Sequence, residues 1–467
     1  MIQPAERSRR LAMAGIAMAS FLGCIDFTIV NTAIPHIQAD LGLGIEQVQW
    51  VITAFVMALS SCTIVVGLWA DRHGMRRAMR VSMVVFGLAS LGAGLSTGLT
   101  ALVGWRLLQG MATAGLYTAS AGLVASMFPD NRRGKALGLL FSVNGLGLAL
   151  GPVVGGLLVE LLDWRWIFLL NVPLIGASLA LCAGRLAADS RPPVAGRFDW
   201  PAAALLLAAL PCWLGVVIHG ADWGWASRHT LGLLAAALGL SGALVVVERR
   251  TAAPLLRIAL FMQPRFLVAA GATAALAFFY CAAFFLMPLY LGELRLLDSA
   301  STGWLLLPTT ASMALASPWA GRGCDRVGCG PVMLAGFTAL LASALMQSAF
   351  TASTSWLWVV AAFACMGVGW GSVLGPSITA ALSALPRDLS GMALGMATTL
   401  HNLGGAVGLA LATALYTGVS ARAGTTPPDG AFVAGYQAVM LLLAAVCLAA
   451  IAMLALSERH RWSRRPA

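Results

Sequence analysis

The sequence predicts an all-α polytopic membrane protein: two six-helix bundles with two additional helices between them, fourteen spans in all. Three observations carry that expectation. Hydrophobic residues make up 59% of the chain and charged residues 10%, with a mean hydropathy of +0.85, too little polar surface to cover a water-soluble globule of this length. The apolar stretches are about 20 residues long, enough helix to cross about 30 Å of hydrocarbon. Finally, GLWADRHG at 67–74 is echoed by GRGCDRVG at 321–328: Gly67, Asp71, Arg72 and Gly74 match Gly321, Asp325, Arg326 and Gly328 at a constant offset of 254 residues (321 − 67). Such an echo marks an internal duplication.

Because lipid offers no hydrogen bonds, each span has to satisfy its own backbone, and helices do so. Hydropathy places the spans at 11–34, 48–70, 78–97, 99–127, 136–159, 166–186, 201–219, 230–247, 267–291, 303–321, 331–350, 356–382, 391–418 and 436–456. The echoed loops follow the second and tenth spans, eight apart instead of the six a plain duplication requires. The spans at 201–219 and 230–247 are therefore the insertion. A second echo agrees: Gly138, Gly147 and Gly151 match Gly395, Gly404 and Gly408 at an offset of 257 (395 − 138). The expected domains are an N-terminal bundle over 1–186, a linker with two additional spans over 187–265, and a C-terminal bundle with its tail over 266–467.

Charge sets the expected orientation. With the N-terminus inside, 24 of the 29 Lys and Arg fall in inside loops and four outside (Arg165, Arg228, Arg295, Arg422), leaving Arg106 within a span. The acids divide 9 inside to 8 outside, with Asp26 within a span. This is the positive-inside asymmetry, and it puts both termini in the cytoplasm. The net charge of +11 is scattered over alternate loops with no basic domain, which argues against nucleic acid. The first apolar run is too long for a cleavable leader and is expected to be the first span. The nine Cys show neither metal-site nor disulfide-framework spacing and are expected to be small apolar packers. Trp164, Trp166, Trp223 and Trp225 suit an outer aromatic belt, and His219 an interfacial position.

Two buried charges carry the chemistry. Asp26 lies nine residues inward from Pro35, about 13 Å along a helix, where a carboxylate has to be protonated, paired or facing a wet cavity. A packing role beside a neighbour such as Asn31 is the ordinary alternative. Arg106 enters the fourth span to a similar depth, so the two can offset each other's desolvation, and a direct pair is the hypothesis. In the fifth span Gly147, Gly151 and Gly155 form one glycine face with Pro152 in the same turn, which permits close helix approach and a bend. The 67–77 loop, with Gly67, Asp71, Arg72, Gly74, Arg76 and Arg77, is expected to act as a cytoplasmic gate in which Asp71 caps a following helix or pairs with Arg in one state. In the second copy Cys329, Gly330 and Pro331 replace the Arg run, which weakens the expectation for Asp325 and Arg326. His401 and Asn402 sit among small residues of the thirteenth span, where the His is a substrate contact, a proton carrier or a packing residue. With Asn31, Gln109 and Asn144 they make up the expected substrate cavity. Phe278, Phe279, Tyr280, Phe284 and Phe285 are expected mostly to pack.

Four motifs carry a family resemblance over nearly the whole chain: DFTIVNTAIP (26–35), GLWADRHGMRR (67–77), WRLLQG (105–110) and GLGLALGPVVGG (145–156), with WRWIFLLNVP (164–173) as a further element. They resemble the major facilitator superfamily, and within it the fourteen-span drug:proton antiporters of EmrB/QacA type. The resemblance implies a major facilitator fold and a role for Arg106 in proton coupling, with Gln109 and Gly110 completing its motif. It also implies export, through the antiporter element Gly147, Gly151, Pro152, Gly155 and Gly156.

There is no GxxxxGK[ST] and no catalytic or metal-ligand cluster in the sequence, so neither ATP coupling nor enzyme activity is expected. The expected function is proton-coupled export of amphipathic drugs or toxic metabolites across a bacterial inner membrane by alternating access. The proton gradient is the energy source and no cofactor is needed. Expected partners are the small amphipathic substrate, protons and the lipid bilayer, with a periplasmic adaptor as a further candidate. Two alternatives stay open: a proton-coupled metabolite importer, and a membrane sensor or adaptor-dependent subunit.

Overall fold

The computed structural model describes residues 4–48, 50–186, 199–224, 226–251, 262–297, 299–386, 389–422 and 428–462, and within these not the side chains of Asn31, Pro152 or His219. Trp225 and most of the two stretches flanking the inserted spans also lie outside the described residues. Among the described residues a helix lies over each expected span: α1 (Pro4–Leu41), α2 (Trp50–His73), α3 (Met75–Gly94), α4 (Leu99–Met127), α5 (Asp130–Leu161), α6 (Asn171–Cys182), α7 (Trp200–Trp223), α8 (Arg228–Arg250), α9 (Pro264–Leu289), α10 (Ser299–Val327), α11 (Cys329–Ser348), α12 (Trp356–Ala384), α13 (Ser390–Arg422) and α14 (Pro428–Trp462). A short helix, Trp166–Leu169, leads into α6, and a π-helical turn, Tyr290–Leu294, follows α9.

Eight of these helices are long and apolar enough to cross a membrane by length and composition, and the bent pair Arg132–Leu148 and Val153–Leu161 within α5 makes a ninth. The 41° bend of that pair falls where Gly151 and Pro152 stand, as a missing backbone donor allows. Other helices are less apolar for a packing reason. α4 carries Arg106, Gln109 and a run of Gly, Ser and Thr on faces buried against neighbouring helices.

The duplication is visible in the packing. α5 runs along α1, α4 along α2 and α3, and α6 against α1 and α3; α13 along α9, α12 along α10 and α11, and α14 against α9 and α11 repeat that scheme. Between the two groups α5 meets α10, and α13 meets α2. The inserted pair is placed asymmetrically. α7 packs against both α2 and α13, and α8 packs on α7, with the Trp213 indole donating to Ser241 Oγ at 3.1 Å. The α7–α8 pair therefore covers one of the two seams between the groups and leaves the α5–α10 seam without it.

Both seams depend on glycine. A Cβ on Gly67 would run into the carbonyl oxygen of Gly391, and one on Gly391 into that of Gly67; Gly321 and Gly134 repeat the arrangement on the other seam. The turns that follow are also alike. Gly74 and Gly328 open α3 and α11 at φ 96° and 93°, a backbone region that side chains with a Cβ rarely enter. This accounts for the glycines that bracket both copies of the echo. The reversal of the chain at Gly328 brings the side chains of Cys324 and Cys329 together, with their Cα atoms 4.3 Å apart. The expectation for Trp164 is corrected. It is buried and its indole donates to Asp40 Oδ2 at 3.1 Å, whereas Trp166 and Trp223 are exposed.

Overpacking a close helix contact costs about 1–3 kcal/mol. Gly67→Ala and Gly321→Ala should each lower the melting temperature of the purified protein by several degrees. Gly156→Ala, where no atom lies within 4 Å of the added Cβ, should leave it unchanged.

Candidate transport site

α1, α3, α4 and α6 converge on Asp26. Its side chain has 0% and that of Arg106 1% of its surface accessible, a position that costs several kcal/mol per ion unless each polar atom is matched. The matching is extensive. Arg106 Nη1 donates to Asp26 Oδ2 at 2.5 Å and to Gln109 Oε1 at 3.0 Å, and its Nε donates to the Val51 carbonyl at 3.0 Å. The second carboxylate oxygen accepts from Asn171 Nδ2 at 3.0 Å and from Gln109 Nε2 at 3.3 Å. Gln109 Nε2 also donates to Ser90 Oγ at 2.8 Å. The guanidinium lies 4.2 Å from the Phe55 ring centroid, in cation–π range.

The expected pairing of Asp26 with Arg106 is thus present in the geometry, while the side chain of Asn31, the other expected neighbour, lies outside the described residues. Gln109 is relocated. It is fully buried and its amide is used within the cluster, so it has no surface to offer a substrate cavity. Asn171 and Ser90 are additions. Asn171 stands inside the WRWIFLLNVP element, and a polar residue at the head of a span was the available signal. Ser90, a small hydroxyl in an apolar helix, gave none.

The duplicated counterpart of this cluster has lost its charge. Pro288 repeats Pro35 at an offset of 253 (288 − 35), which aligns Phe279 with Asp26; Gly367 repeats Gly110 at 257 (367 − 110), which aligns Phe363 with Arg106. Both Phe are fully buried. What survives is neutral: Tyr436 donates to Gln347 Oε1 at 2.7 Å, and Gln347 donates to Ser343 at 3.0 Å.

The echoed Asp residues hold the two groups of helices together at one end. Asp71 Oδ1 and Oδ2 accept from the backbone N–H of Gly391 and Met392 at 2.6 and 2.7 Å. Asp325 accepts likewise from Gly134 and Lys135 at 2.7 and 2.9 Å. Asp71 thus caps the start of a helix in the opposite half, not the helix that follows it in sequence, where unpaired N–H groups and the helix dipole favour negative charge, and Asp325 meets the second turn of α5. The weaker expectation for Asp325 is corrected: replacing the Arg run leaves the Asp geometry intact. Arg77 and Arg326 are exposed. Near the same end Ser142 donates to the Ala314 carbonyl at 2.5 Å.

Further along α5 the glycine face turns to its own half. Added Cβ atoms at Gly147, Gly151 and Gly155 would meet Phe21, Thr28 and Thr32 of α1, while Gly156 faces open space. Asn144 is buried, and its Oδ1 has no partner among the described residues. His401 sits deep in the protein yet keeps part of its surface accessible. Its Nδ1 lies 3.0 Å from the Thr273 carbonyl and its Nε2 3.3 Å from the Tyr280 hydroxyl. At the opposite end of α1, Asp40 accepts from Trp164 and from Arg165 at 2.9 Å. These two hydrogen bonds, the indole's first, hold its carboxyl below the ordinary carboxylate range.

Removing one member of a buried ion pair costs about 3–5 kcal/mol, because the other is left unmatched. Arg106→Met should therefore lower the melting temperature more than the double variant Asp26→Leu with Arg106→Met. Asn171→Ala, which removes a single donor, should cost about 1–3 kcal/mol. Thermal unfolding of the four proteins in detergent checks the order.

A model of the Major Facilitator Superfamily matches residues 16–409. The chain is 30% identical over 422 residues to the tetracenomycin C resistance and export protein of Streptomyces glaucescens, covering 89% of this chain and 77% of that one. It is 32% identical over 413 residues to the lincomycin resistance protein of Streptomyces lincolnensis, covering 87% and 84%. In fold it is similar to the human organic anion transporter MFSD10 (TETRAN), with a TM-score of 0.66 at 15% identity over 96% of this chain and 99% of that one. A helical membrane architecture, the duplicated packing and the family match agree, and the chain belongs to the Major Facilitator Superfamily of transporters.

Proposed function

We propose that the protein is a proton-coupled exporter of small amphipathic compounds, of the fourteen-span EmrB/QacA type, working by alternating access. The observation that carries this reading is the buried Asp26–Arg106 pair, a titratable carboxyl whose only route to charge neutrality besides Arg106 is a proton. The positive-inside asymmetry assigns the end closed by Asp71 and Asp325 to the cytoplasm, with both termini on that side. The state described is then closed towards the cytoplasm. Export is supported by relatives named for resistance and export and by the glycine face of α5 against α1.

In the proposed cycle a proton from outside enters the Asp26 carboxyl after substrate has left. Neutral Asp26 no longer matches Arg106, the guanidinium turns to other partners, and α1 and α4 shift with it. Because α5 lies along α1 while its start is held by Asp325, that shift reaches the closed end and loosens it. Substrate then enters from the cytoplasm or inner leaflet, and the proton leaves as Asp26 pairs with Arg106 again. The two bundles that rock are residues 1–186 and 266–467, with α7 and α8 as additional spans. No nucleotide or other cofactor enters the cycle.

Purified protein in liposomes should move an amphipathic dye against its gradient when a proton gradient is imposed, and a protonophore should abolish the movement. Asp26→Asn should reduce proton-linked flux to that of protein-free liposomes while the variant is still inserted. Dye flux unaffected by the protonophore would remove proton coupling from the account.

A further inference from the structure

The second copy of the echo holds a pair of thiols where the first has none, and the proton cycle leaves them unused. Cys324 and Cys329 stand where the first copy has Ala70 and Met75, at the same offset of 254 residues (324 − 70). Cys324 lies in the last turn of α10, one residue before Asp325, and Cys329 is the first residue of α11. Gly328 reverses the chain between them at φ 93°, and its N–H donates to the Cys324 carbonyl at 3.1 Å. The two Cα atoms are 4.3 Å apart, at the short end of the range of about 4.4–6.8 Å that a disulfide spans. The other seven Cys are scattered through the spans.

The two sulfurs are unequally placed. Cys324 is buried, whereas Cys329 keeps part of its surface accessible. Cys329 also opens a helix, where unpaired N–H groups and the helix dipole favour a thiolate over a thiol. Arg326 is exposed in the same turn, so an approaching anion is attracted. The positive-inside asymmetry puts this turn in the cytoplasm, where thiols are kept reduced and a disulfide is transient. Metal binding is the other use of such a pair, but no group of three or more His, Cys, Asp or Glu able to hold a metal ion occurs among the described residues.

We propose that Cys324 and Cys329 form a modification site for anionic low-molecular-weight disulfides, and that its oxidation tightens the α5–α10 seam. The Cys329 thiolate attacks one sulfur of the disulfide RS–SR, forming Cys329–S–SR and releasing one thiolate. Cys324 then gives up its proton and attacks the Cys329 sulfur; the bond between the two Cys forms and the second thiolate leaves. The protein thiols lose two electrons, the small disulfide gains them, and the two thiol protons pass to the released thiolates. The new bond ties the last turn of α10 to α11. Asp325 sits in that turn and accepts from Gly134 and Lys135 of α5, so removing frayed conformations of the helix end keeps the carboxylate on its partners. Asp71 gains no such tether, because Ala70 and Met75 cannot form one. The cytoplasmic placement rests on the export reading, whereas the chemistry of the pair does not.

The test equilibrates the full-length protein in lipid nanodiscs with oxidised or reduced glutathione, then quenches, alkylates and reads the thiols by peptide mass spectrometry. Oxidised glutathione should remove the alkylatable thiols of Cys324 and Cys329 together, and reduced glutathione should restore both. Cys324→Ala, which copies the residue at position 70, should retain glutathione on Cys329, whereas Cys329→Ser should retain none on Cys324. Amide hydrogen exchange reads the seam. Oxidation should slow exchange at Gly134 and Lys135 about fivefold and leave Gly391 and Met392 unchanged, and the double variant Cys324→Ala with Cys329→Ser should exchange alike in both buffers. A pair that stays reduced in oxidised glutathione, a bond that reduced glutathione does not open, or equal changes at the two seams would overturn the proposal. Redox-dependent exchange without proton-linked flux would leave this site standing and remove the export reading. Proton-linked flux with no redox response at Gly134 and Lys135 would do the reverse.

Discussion

A fully buried ion pair is the constraint on which the N-terminal half is built. Asp26 and Arg106 have almost no accessible surface, and leaving one of them unmatched at that depth costs about 3–5 kcal/mol, a large part of the margin of about 5–15 kcal/mol by which proteins are stable. Four helices are therefore committed to supplying partners: α3 through Ser90, α4 through Gln109, α6 through Asn171 and α2 through the Val51 carbonyl. The cluster is satisfied only while these helices keep their positions. In the proposed cycle this makes a proton an effective lever, because neutralising one carboxyl unbalances contacts on all four helices at once.

The duplication kept its mechanical parts and divided its chemistry. Both halves retain an Asp that bonds to backbone N–H groups of a helix in the other half, a pair of glycines in backbone contact, and a left-handed glycine opening the next helix. At the positions that the repeat aligns with the charged pair, the C-terminal half has Phe279 and Phe363, both fully buried. Apolar packing carries no desolvation cost, so the positions of these Phe need none of the matched partners that Asp26 and Arg106 require. The α7–α8 pair adds a further asymmetry by packing over the α2–α13 seam and leaving the α5–α10 seam without such a cover.

Much of this was legible in the sequence, for identifiable reasons. Helix positions were readable because lipid imposes length and apolarity, although among the described residues only eight helices, or nine with the bent pair, meet that measure of a span, and the echo at 67 and 321 because left-handed glycines and Asp residues that bond across the halves have few substitutes. Pairing of Asp26 with Arg106 followed from matched depth. Gln109 stands three residues from Arg106 on one helix face, a spacing that puts the two side by side and not in a cavity. The contact of Asp325 rests on its carboxylate and on the glycines of the echo, so the absence of the Arg run leaves it in place. What could not be read was which helix each Asp meets. Asp71 reaches α13 across more than 300 residues of chain, and only tertiary packing chooses that partner. Asn171 carries a signal as a polar residue at the head of a span, but that it meets Asp26 is likewise chosen by tertiary packing.

The central claim is that the protonation of Asp26 governs the end closed by Asp71 and Asp325. The most direct measurement is the spin-label distance across that end, between exposed His73 and Ser383, as pH is lowered in wild type and Asp26→Asn. The account predicts that the wild-type distance distribution gains a longer component as pH falls, and that Asp26→Asn shows this component at every pH. A wild-type pH response preserved in Asp26→Asn would contradict it.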